Sequence, residues 1–408
     1  MQREVKKYGN KNRRGNEITA VIIMRKYFYA SILPIMVVTM LCFAACDKTD
    51  EPSTNTGANG DATSDSGSST NTGDYSPETC KLKLWPAAAV VNEGGDNQSL
   101  KYGYINEAGE FAIAAIYDDA SAFSCGYAAV RLSDKTLIIN EKNAIQNTPS
   151  ILMASGTFYY NHVVFRTKNN GSCGMMNNKM EVVIQPNYSY MSNMSADGLV
   201  CVKPSEEEKM CVVNSKGEQA FSANFDQIYN FESGYAVVKN GDLYGVIDKS
   251  GAYTIELQKK MLVNCGAGRI GFYDSDVKKF GLMNYKGDVI VEPIYDDYGT
   301  FATSGLLPVL NDGLCGFIDK DGKIIIPLQY AHVGQFTNGR AWVRRSVDTN
   351  YELIDTKGQV LLTLGKDEEP AGTWRLNRCL IKVKINDDLK EYKYINEKGE
   401  TVYKWQKK

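Results

Sequence analysis

The side chains most often recruited for chemistry are sparse in this chain. His162 and His332 are its two histidines and stand 170 residues apart, so neither a His-based nucleophile nor a histidine metal centre is expected. The paired acids Asp118/Asp119 and Asp296/Asp297 have the composition of a general acid–base pair or a calcium site. "NCGAGRIGF" (264–272) is glycine-rich, but its glycine spacing is not that of a phosphate loop and no helical pattern follows. "EEEK" (206–209) reads as a solvated hairpin tip. Of ten cysteines, Cys42 and Cys46 lie at the end of an apolar leader, and the other eight show no C-x-x-C and no paired histidine. A zinc site is therefore not expected. Cys201 and Cys211 flank the turn "PSEEEK" (204–209), and a disulfide across that hairpin is a candidate. These residues give no catalytic constellation and call for no cofactor and no metal.

The acid pairs occupy equivalent places in a repeat, and that repeat governs the rest of the chain. "FGLMNYKGDVIVEPIYDD" (280–297) recurs in altered spelling in a register set by Gly103, Leu137, Gly174, Cys211, Gly245, Gly281, Gly316, Glu352 and Lys393, a step of about 36 residues. Three residues on, every copy has Asn or Asp: Asn106, Asn140, Asn177, Asn214, Asp248, Asn284, Asp319, Asp355 and Asn396. Three further stand Gly109, Gly217, Gly251, Gly287, Gly322, Gly358 and Gly399, with Asn143 and Met180 in the two remaining copies. Asx-x-x-Gly between apolar runs predicts a three-residue hairpin loop, with Asx capping a type I turn and glycine at φ > 0. Asn143 tolerates that conformation; Met180 does not, so its turn is expected to differ. At Asp118, Asp119, Asp296 and Asp297 the same turn preferences favour capping over catalysis.

Beyond each turn comes a short β-branched run, which Pro186, Pro293 and Pro327 are expected to end. "FSCGYAAV" (123–130), "FESGYAVV" (231–238), "FATSGLLPV" (301–309) and "FTNGRAWV" (336–343) repeat the other half of the unit. One unit thus holds three clear strands and a fourth around "YDDYGTF" (295–301). It must stack on its neighbours to bury both faces. The fold class is all-β, with a propeller-like closed array favoured over an open β-solenoid, although nine units exceed the usual four to eight blades. "KLKLWPAAAVV" (81–91) reads as the half-unit before Gly103, an incomplete start to the first blade.

These units resemble the WG-repeat family, whose pattern runs roughly Trp-Gly-Tyr-Ile-Asp-x-x-Gly-x-x-x-Ile-Pro-x-x-Tyr-Asp. It is seen here in "YGYINEAGEFAIAAIYDD" (102–119), "FGLMNYKGDVIVEPIYDD" (280–297) and "CGFIDKDGKIIIPLQY" (315–330). The likeness covers about residues 102–403. Tyr, Phe, Cys or Met replaces the signature Trp, and four copies lack its Gly. The resemblance implies a β-rich repeat scaffold, common in exported bacterial proteins, and brings no catalytic residues.

Three regions precede or make up the array. Residues 1–45 form a signal region whose true start is read as Met24: Arg25 and Lys26 are a basic n-region, and 27–45 is apolar and ends in "CFAAC". The small-small-Cys ending resembles a bacterial lipobox, which implies cleavage before Cys46 and its lipidation; the alternative is an uncleaved anchor. Residues 46–79 are a Ser/Thr/Gly/Asp linker too polar to fold, so a flexible tether is expected. Asp47, Asp50 and Glu51 resemble the surface-export signal of Bacteroidetes lipoproteins, which favours the cell surface over the periplasm. Residues 80–408 are the repeat domain. Residues 1–45 carry eight of the 46 basic and two of the 48 acidic side chains, leaving a net charge of −8 downstream. That acidity argues against a nucleic-acid partner. The expected task is non-catalytic: an outer-membrane lipoprotein, membrane-held through Cys46, presenting a scaffold to a protein or glycan. The alternative is a glycan-acting hydrolase with carboxylates converging on the assembled array.

Overall fold

The computed structural model describes residues 83–92, 98–148, 151–154, 157–168, 171–302 and 304–407. The segments read from the sequence as a signal region (1–45) and a linker (46–79), Cys46 included, lie outside them. Among the described residues there is no helix, and the strands form nine antiparallel meanders that we number as blades 1–9. Blade 1 comprises Trp85–Asn92, Gln98–Ile105 and Phe111–Tyr117; blade 2 comprises Asp119–Ala120, Tyr127–Leu132 and Lys135–Asn140. Blades 3, 4 and 5 span 151–188, 190–225 and 227–258, and blades 6, 7, 8 and 9 span 262–295, 297–330, 332–363 and 368–407, each with four strands in sequence order. The nine register positions lie in the nine third strands; blade 1 shows no first strand.

Each sheet is buried on both faces because alternate residues serve different neighbours. In blade 6, Met283 packs back onto Val237 and Val246 of blade 5, whereas Leu282 packs forward onto Leu307 and Val309 of blade 7. A third strand must therefore be apolar at consecutive positions, which is why "GLM" and "GFI" recur.

All nine Asx turns adopt one shape. In the copy at 284–287 the Asn284 side-chain oxygen accepts the amides of Lys286 and Asp288 at 2.9 and 3.0 Å, and the Gly287 amide donates to the Asn284 carbonyl. Gly287 has φ +90°. The pairs Asn106/Gly109, Asn214/Gly217, Asp248/Gly251, Asp319/Gly322, Asp355/Gly358 and Asn396/Gly399 repeat this bonding. Contrary to expectation, so does the copy at 177–180: Met180 takes φ +65°, and Asn177 accepts from Lys179 and Glu181. Met180 is 8% exposed within the core between blades 2 and 3, so burial of its long side chain offsets the left-handed strain.

Two further expectations are corrected. Pro186, Pro293 and Pro327 do not end their strands but sit inside the fourth ones, Val182–Tyr188, Val289–Tyr295 and Ile324–Tyr330. Each falls within a bulge, where the ladder needs no N–H from the edge strand. Cys201 and Cys211 are free thiols: Cys201 lies opposite Val212 and Cys211 opposite Val202. Their side chains enter different cores, Cys201 toward blade 5 and Cys211 toward blade 3, so no bond can join them.

The array closes. Blade 9 packs on blade 1 through Tyr394, Tyr403 and Trp405 against Trp85, Ala87 and Phe111. The hydroxyls of Tyr394 and Tyr403 donate to the carbonyls of Pro86 and Ala88 at 2.9 and 3.0 Å. The seam also repeats contacts made inside the array. Arg269 of blade 6 donates to the Lys320 carbonyl in the Asx turn of blade 7, and Arg378 of blade 9 donates to the Glu107 carbonyl in the Asx turn of blade 1.

Candidate functional site

Strand register sorts the connections onto two ends of the wheel. In blade 5, Tyr235 pairs with Asp248 and Asn240 with Leu243. The first-to-second loop and the Asx turn therefore share one end, called here the loop end. The second-to-third hairpins and the crossings between blades share the other.

The acid pairs lie at the crossing end and are structural. Asp118 takes the Lys101 ammonium on one oxygen and the Ser133 amide on the other; Asp296 does the same with Lys279 and Asp312, and Asp226 accepts the Gly241 amide. Each carboxylate ties the end of one blade to the hairpin of the next. The Lys101 hydrogen bond and the Ser133 amide hold the Asp118 carboxyl below its usual range. Asp119 and Asp297 accept the amides of Ala120 and Tyr298, local capping of the next strand.

The histidines are not brought together. His162 is at the loop end of blade 3, half-buried, with Nδ1 2.6 Å from the Tyr160 carbonyl, and burial pushes it down. His332 begins blade 8 near the crossing end, where burial and then Arg344 push it down to about 4. The "NCGAGRIGF" glycines form a tight loop-end turn, with Gly266 at φ +79° and its amide bonded to the Asn264 side chain. "EEEK" lies in the blade 4 hairpin at the crossing end, with Glu206, Glu207 and Glu208 exposed. Burial pushes the Cys201, Cys265, Cys315 and Cys379 thiols up to about 12, leaving unreactive core groups. Among the described residues no cluster of ligands could hold a metal.

What the loop end does gather is a polar cleft of about 320 Å³ between blades 4 and 5. Asp197 of the blade 4 loop faces Ser233, Gly234, Tyr235, Asp248 and Lys249 of blade 5 across it. Glu232, next in the chain to this lining, is open to solvent, with its carboxylate reaching over blade 6. There it lies against Gly266, where a Cβ would stand 2.7 Å from Oε1. No ion pair holds Glu232 among the described residues, and desolvation by the surrounding protein raises its carboxyl above the usual range. Tyr285 of the blade 6 Asx turn donates to the Glu232 carbonyl at 3.3 Å and stacks on Tyr235 with ring centroids 4.1 Å apart. The Tyr160 hydroxyl of blade 3 is raised by burial first, then by Glu232 and Asp197. Blades 4 and 5 thus line the cleft, and Glu232 beside it is bonded by Tyr285 of blade 6 through its carbonyl and felt by Tyr160 of blade 3.

Glu232 and Asp197 were not singled out by motif. The signal was nevertheless present: Glu232 follows the aromatic of "FESGY", where the other copies carry Ser124, Ala302 and Thr337. A carboxylate that breaks the repeat was visible; its neighbours from blades 3, 4 and 6 were not.

Five segments of the chain, 102–135, 174–203, 212–244, 280–315 and 316–345, match the family described as WG containing repeat. Each begins in a third strand and runs into the following blade, so the sequence repeat and the blade are out of phase. No curated protein matches the chain. Among solved structures, "Crystal structure of the eukaryotic initiation factor" is 11% identical, covers 75% of this chain and 93% of its own, and has a TM-score of 0.52, a likeness of fold. "Dihydro-heme d1 dehydrogenase NirN in complex with DHE" is 13% identical, with 69% and 72% covered and a TM-score of 0.41. "Streptogramin B lyase structure" is 13% identical, with 54% and 84% covered and a TM-score of 0.31.

Proposed function

We propose that this protein is a cell-envelope lipoprotein, anchored through Cys46, whose WG-repeat propeller is a binding scaffold for a protein or glycan engaged at the loop end. The observation that carries the reading is the loop-end cleft in which Asp197 of blade 4 faces Tyr235, Asp248 and Lys249 of blade 5, with Glu232 and Tyr285 beside Tyr235 at the next blade boundary. The wheel is otherwise repetitive, and repeat arrays bind through such assembled loop faces. The 46–79 linker suits a tether that holds this face clear of the outer membrane, and the acids after Cys46 favour the outer surface.

One observation favours a second reading. Glu232 is a carboxyl raised by its surroundings, as the general acid of a glycan-acting hydrolase must be, and Asp197 acts on the same Tyr160 hydroxyl. Capture from the native cell surface with the full chain separates the two. A scaffold retains a partner without consuming it. Release of reducing ends from a glycan panel, abolished by Glu232→Gln or Asp197→Asn, establishes the hydrolase instead. The anchor is tested separately: Cys46→Ala is expected to leave soluble protein that takes up no labelled fatty acid, and an unchanged membrane fraction overturns lipidation.

A further inference from the structure

We propose that the hub of the wheel binds, at its loop end, a neutral hydroxyl-rich ligand, an oligosaccharide, through a ring of amide and hydroxyl side chains supplied one per blade. This rests on the scaffold reading and names the chemistry of its ligand.

The ring begins as a pattern that neither the turns nor the strands require. Each first strand, or the segment that continues it, reaches the loop end through a buried side chain such as Phe231 or Phe336. The residue just before it is Asn193, Asn230, Asn264, Thr300, Gln335 and Thr373 in blades 4–9. Thr157 continues the series in blade 3, and Ala122 of blade 2 is the one break. Two residues further on, the same segments carry Glu232 and Arg375, so charge is tolerated nearby but is missing from the ring itself.

Two contacts place these residues at the hub. The Gln335 side chain of blade 8 donates to the Thr300 hydroxyl of blade 7 at 3.2 Å, and the Phe301 amide of blade 7 donates to the Cys265 carbonyl of blade 6 at 2.7 Å. Neighbouring blades thus touch by side chain and by backbone along their first-strand edges, whereas the fourth strands carry the exposed Val289, Ile294 and Ile324. In a closed array the edge where blades meet is the one around the central channel. The ladder turns the backbone the same way. The amides of Ser192, Tyr229, Gly299 and Gly334 donate to the second strand, so the next residues, Asn193, Asn230, Thr300 and Gln335, direct their amides and carbonyls to the inner edge.

Asn193 points to a ligand independently. It is only 9% exposed, yet its side-chain amide has no partner among the described residues. A buried amide left unbonded carries a cost that an incoming donor and acceptor remove. Asn230 and Thr373 also have no side-chain partner among the described residues, and both are exposed. A sugar hydroxyl donates and accepts at once, as an amide or a threonine hydroxyl does, so the two surfaces match group for group. An ion would meet no counter-charge at the ring and would lose hydration without compensation. A polypeptide would bring apolar side chains, and the apolar groups behind the ring are already packed in the core.

The test is binding of the labelled full chain to immobilised neutral hexasaccharides of the cellulose, chitin, mannan and xylan types, beside sulfated counterparts. At least one neutral hexasaccharide should bind, without preference for its sulfated form, and a several-fold rise in salt should leave binding unchanged. Asn193→Leu combined with Asn230→Leu should weaken it about tenfold or more, through loss of two hydrogen-bonding side chains. Asn230→Leu alone, at an exposed position, carries the same test if the double variant does not fold. Glu206→Gln/Glu207→Gln/Glu208→Gln, at the crossing end, should bind as the parent does. Asn193→Leu should melt at or above the parent's temperature, because it removes an unbonded buried amide; a lower value would assign Asn193 to structure and overturn its role here. The inference is also overturned if no neutral hexasaccharide binds, if binding survives the double variant, if sulfated forms are preferred, or if a neutral Ser/Asn/Gln peptide binds through Asn193 and Asn230 instead. If a protein from the native cell surface is captured equally by the parent and the double variant, the scaffold reading stands and this inference falls. If the chain binds no hexasaccharide and captures nothing, both fall.

Discussion

Blades 7 and 8 are neighbours built from the same repeat, yet they treat its signature position differently. In blade 7 it is Gly316; in blade 8 it is Glu352. Opposite Gly316 the fourth strand is bulged, since Cys315 pairs with Tyr330 but Phe317 with Ile326, so two residues face four. The bulge drives backbone onto the glycine: a Cβ there would stand 2.6 Å from the Ile326 carbonyl oxygen and 2.8 Å from the Leu328 nitrogen. Opposite Glu352 the ladder is one-to-one, Glu352 with Thr363 and Leu353 with Leu362, and the fourth strand is only Val360–Thr363. Blade 9 behaves like blade 8, with Lys393 opposite Lys404. Gly103, Gly174, Gly245 and Gly281 stand under the same backbone as Gly316, ten residues on. Blade 2, with Leu137, has no fourth strand among the described residues. The signature glycine thus answers a close approach by the bulged edge strand, not a positive φ, which is the task of Gly322 three residues past Asp319. Cys211 is the exception: its strand is bulged without a glycine, and nothing in the structure explains it.

The comparison breaks most directly at that position. Gly316→Ala must push aside backbone rather than a flexible side chain, and should cost about 1–3 kcal/mol. Glu352→Ala should cost less than about 1 kcal/mol, since its partly exposed ion pair with Arg345 contributes little. Denaturant unfolding of the two variants measures both, and equal costs would falsify the steric account.

A smaller effect is expected at the seam, where the comparison moves from neighbouring blades to the first and last. Pro86 and Ala88 share one parity of their strand, so their carbonyls leave it on one side, and the hydroxyls of Tyr394 and Tyr403 meet them there. Tyr394→Phe and Tyr403→Phe each leave one carbonyl without that donor, at about 1 kcal/mol apiece. Combined, they should lower the unfolding midpoint detectably. No change would mean that the ring does not depend on these bonds for closure.

Much of this was legible because it is periodic. The Asx turns could be read from type and spacing, since each is a local device of four or five residues, and the nine third strands follow from their register. Met180 was misread because propensity speaks only for the turn, whereas its side chain is claimed by the core between blades 2 and 3. The prolines were misread because a bulge is a relation between two strands and has no spelling in one. Cys201 and Cys211 were misjudged for the opposite reason: near in chain and adjacent in strand order, they point to different faces, a parity set by pairing. Closure was favoured from strand count alone; Trp85 and Trp405, which meet near the seam, lie about 320 residues apart. The cleft and the groups beside it were least legible, because Tyr160, Asp197, Glu232 and Tyr285 belong to four different blades.

The smallest expected effect separates blades that have the acid latch from those that do not. Asp118 joins blades 1 and 2 through Lys101 and the Ser133 amide, and Asp296 joins blades 6 and 7 likewise, whereas the equivalent residue between blades 7 and 8 is Ala331. Because the Asp118 carboxyl is held below its unfolded value, its contribution is present above the ordinary carboxylate range and is lost as pH falls through the lowered value. The group is near the surface, so solvent screening limits that contribution to a few tenths of a kcal/mol. Asp118→Asn should therefore destabilise slightly at neutral pH, and the gap between variant and parent should close as acidification, carried below the ordinary carboxylate range, protonates the Asp118 carboxyl. Ala331→Asp should not strengthen its junction, because blade 7 has Leu314 where blades 1 and 6 have Lys101 and Lys279; a latch needs both halves. A gap for Asp118→Asn that persists unchanged to low pH would assign its cost to the lost shape of the side chain rather than to its charge.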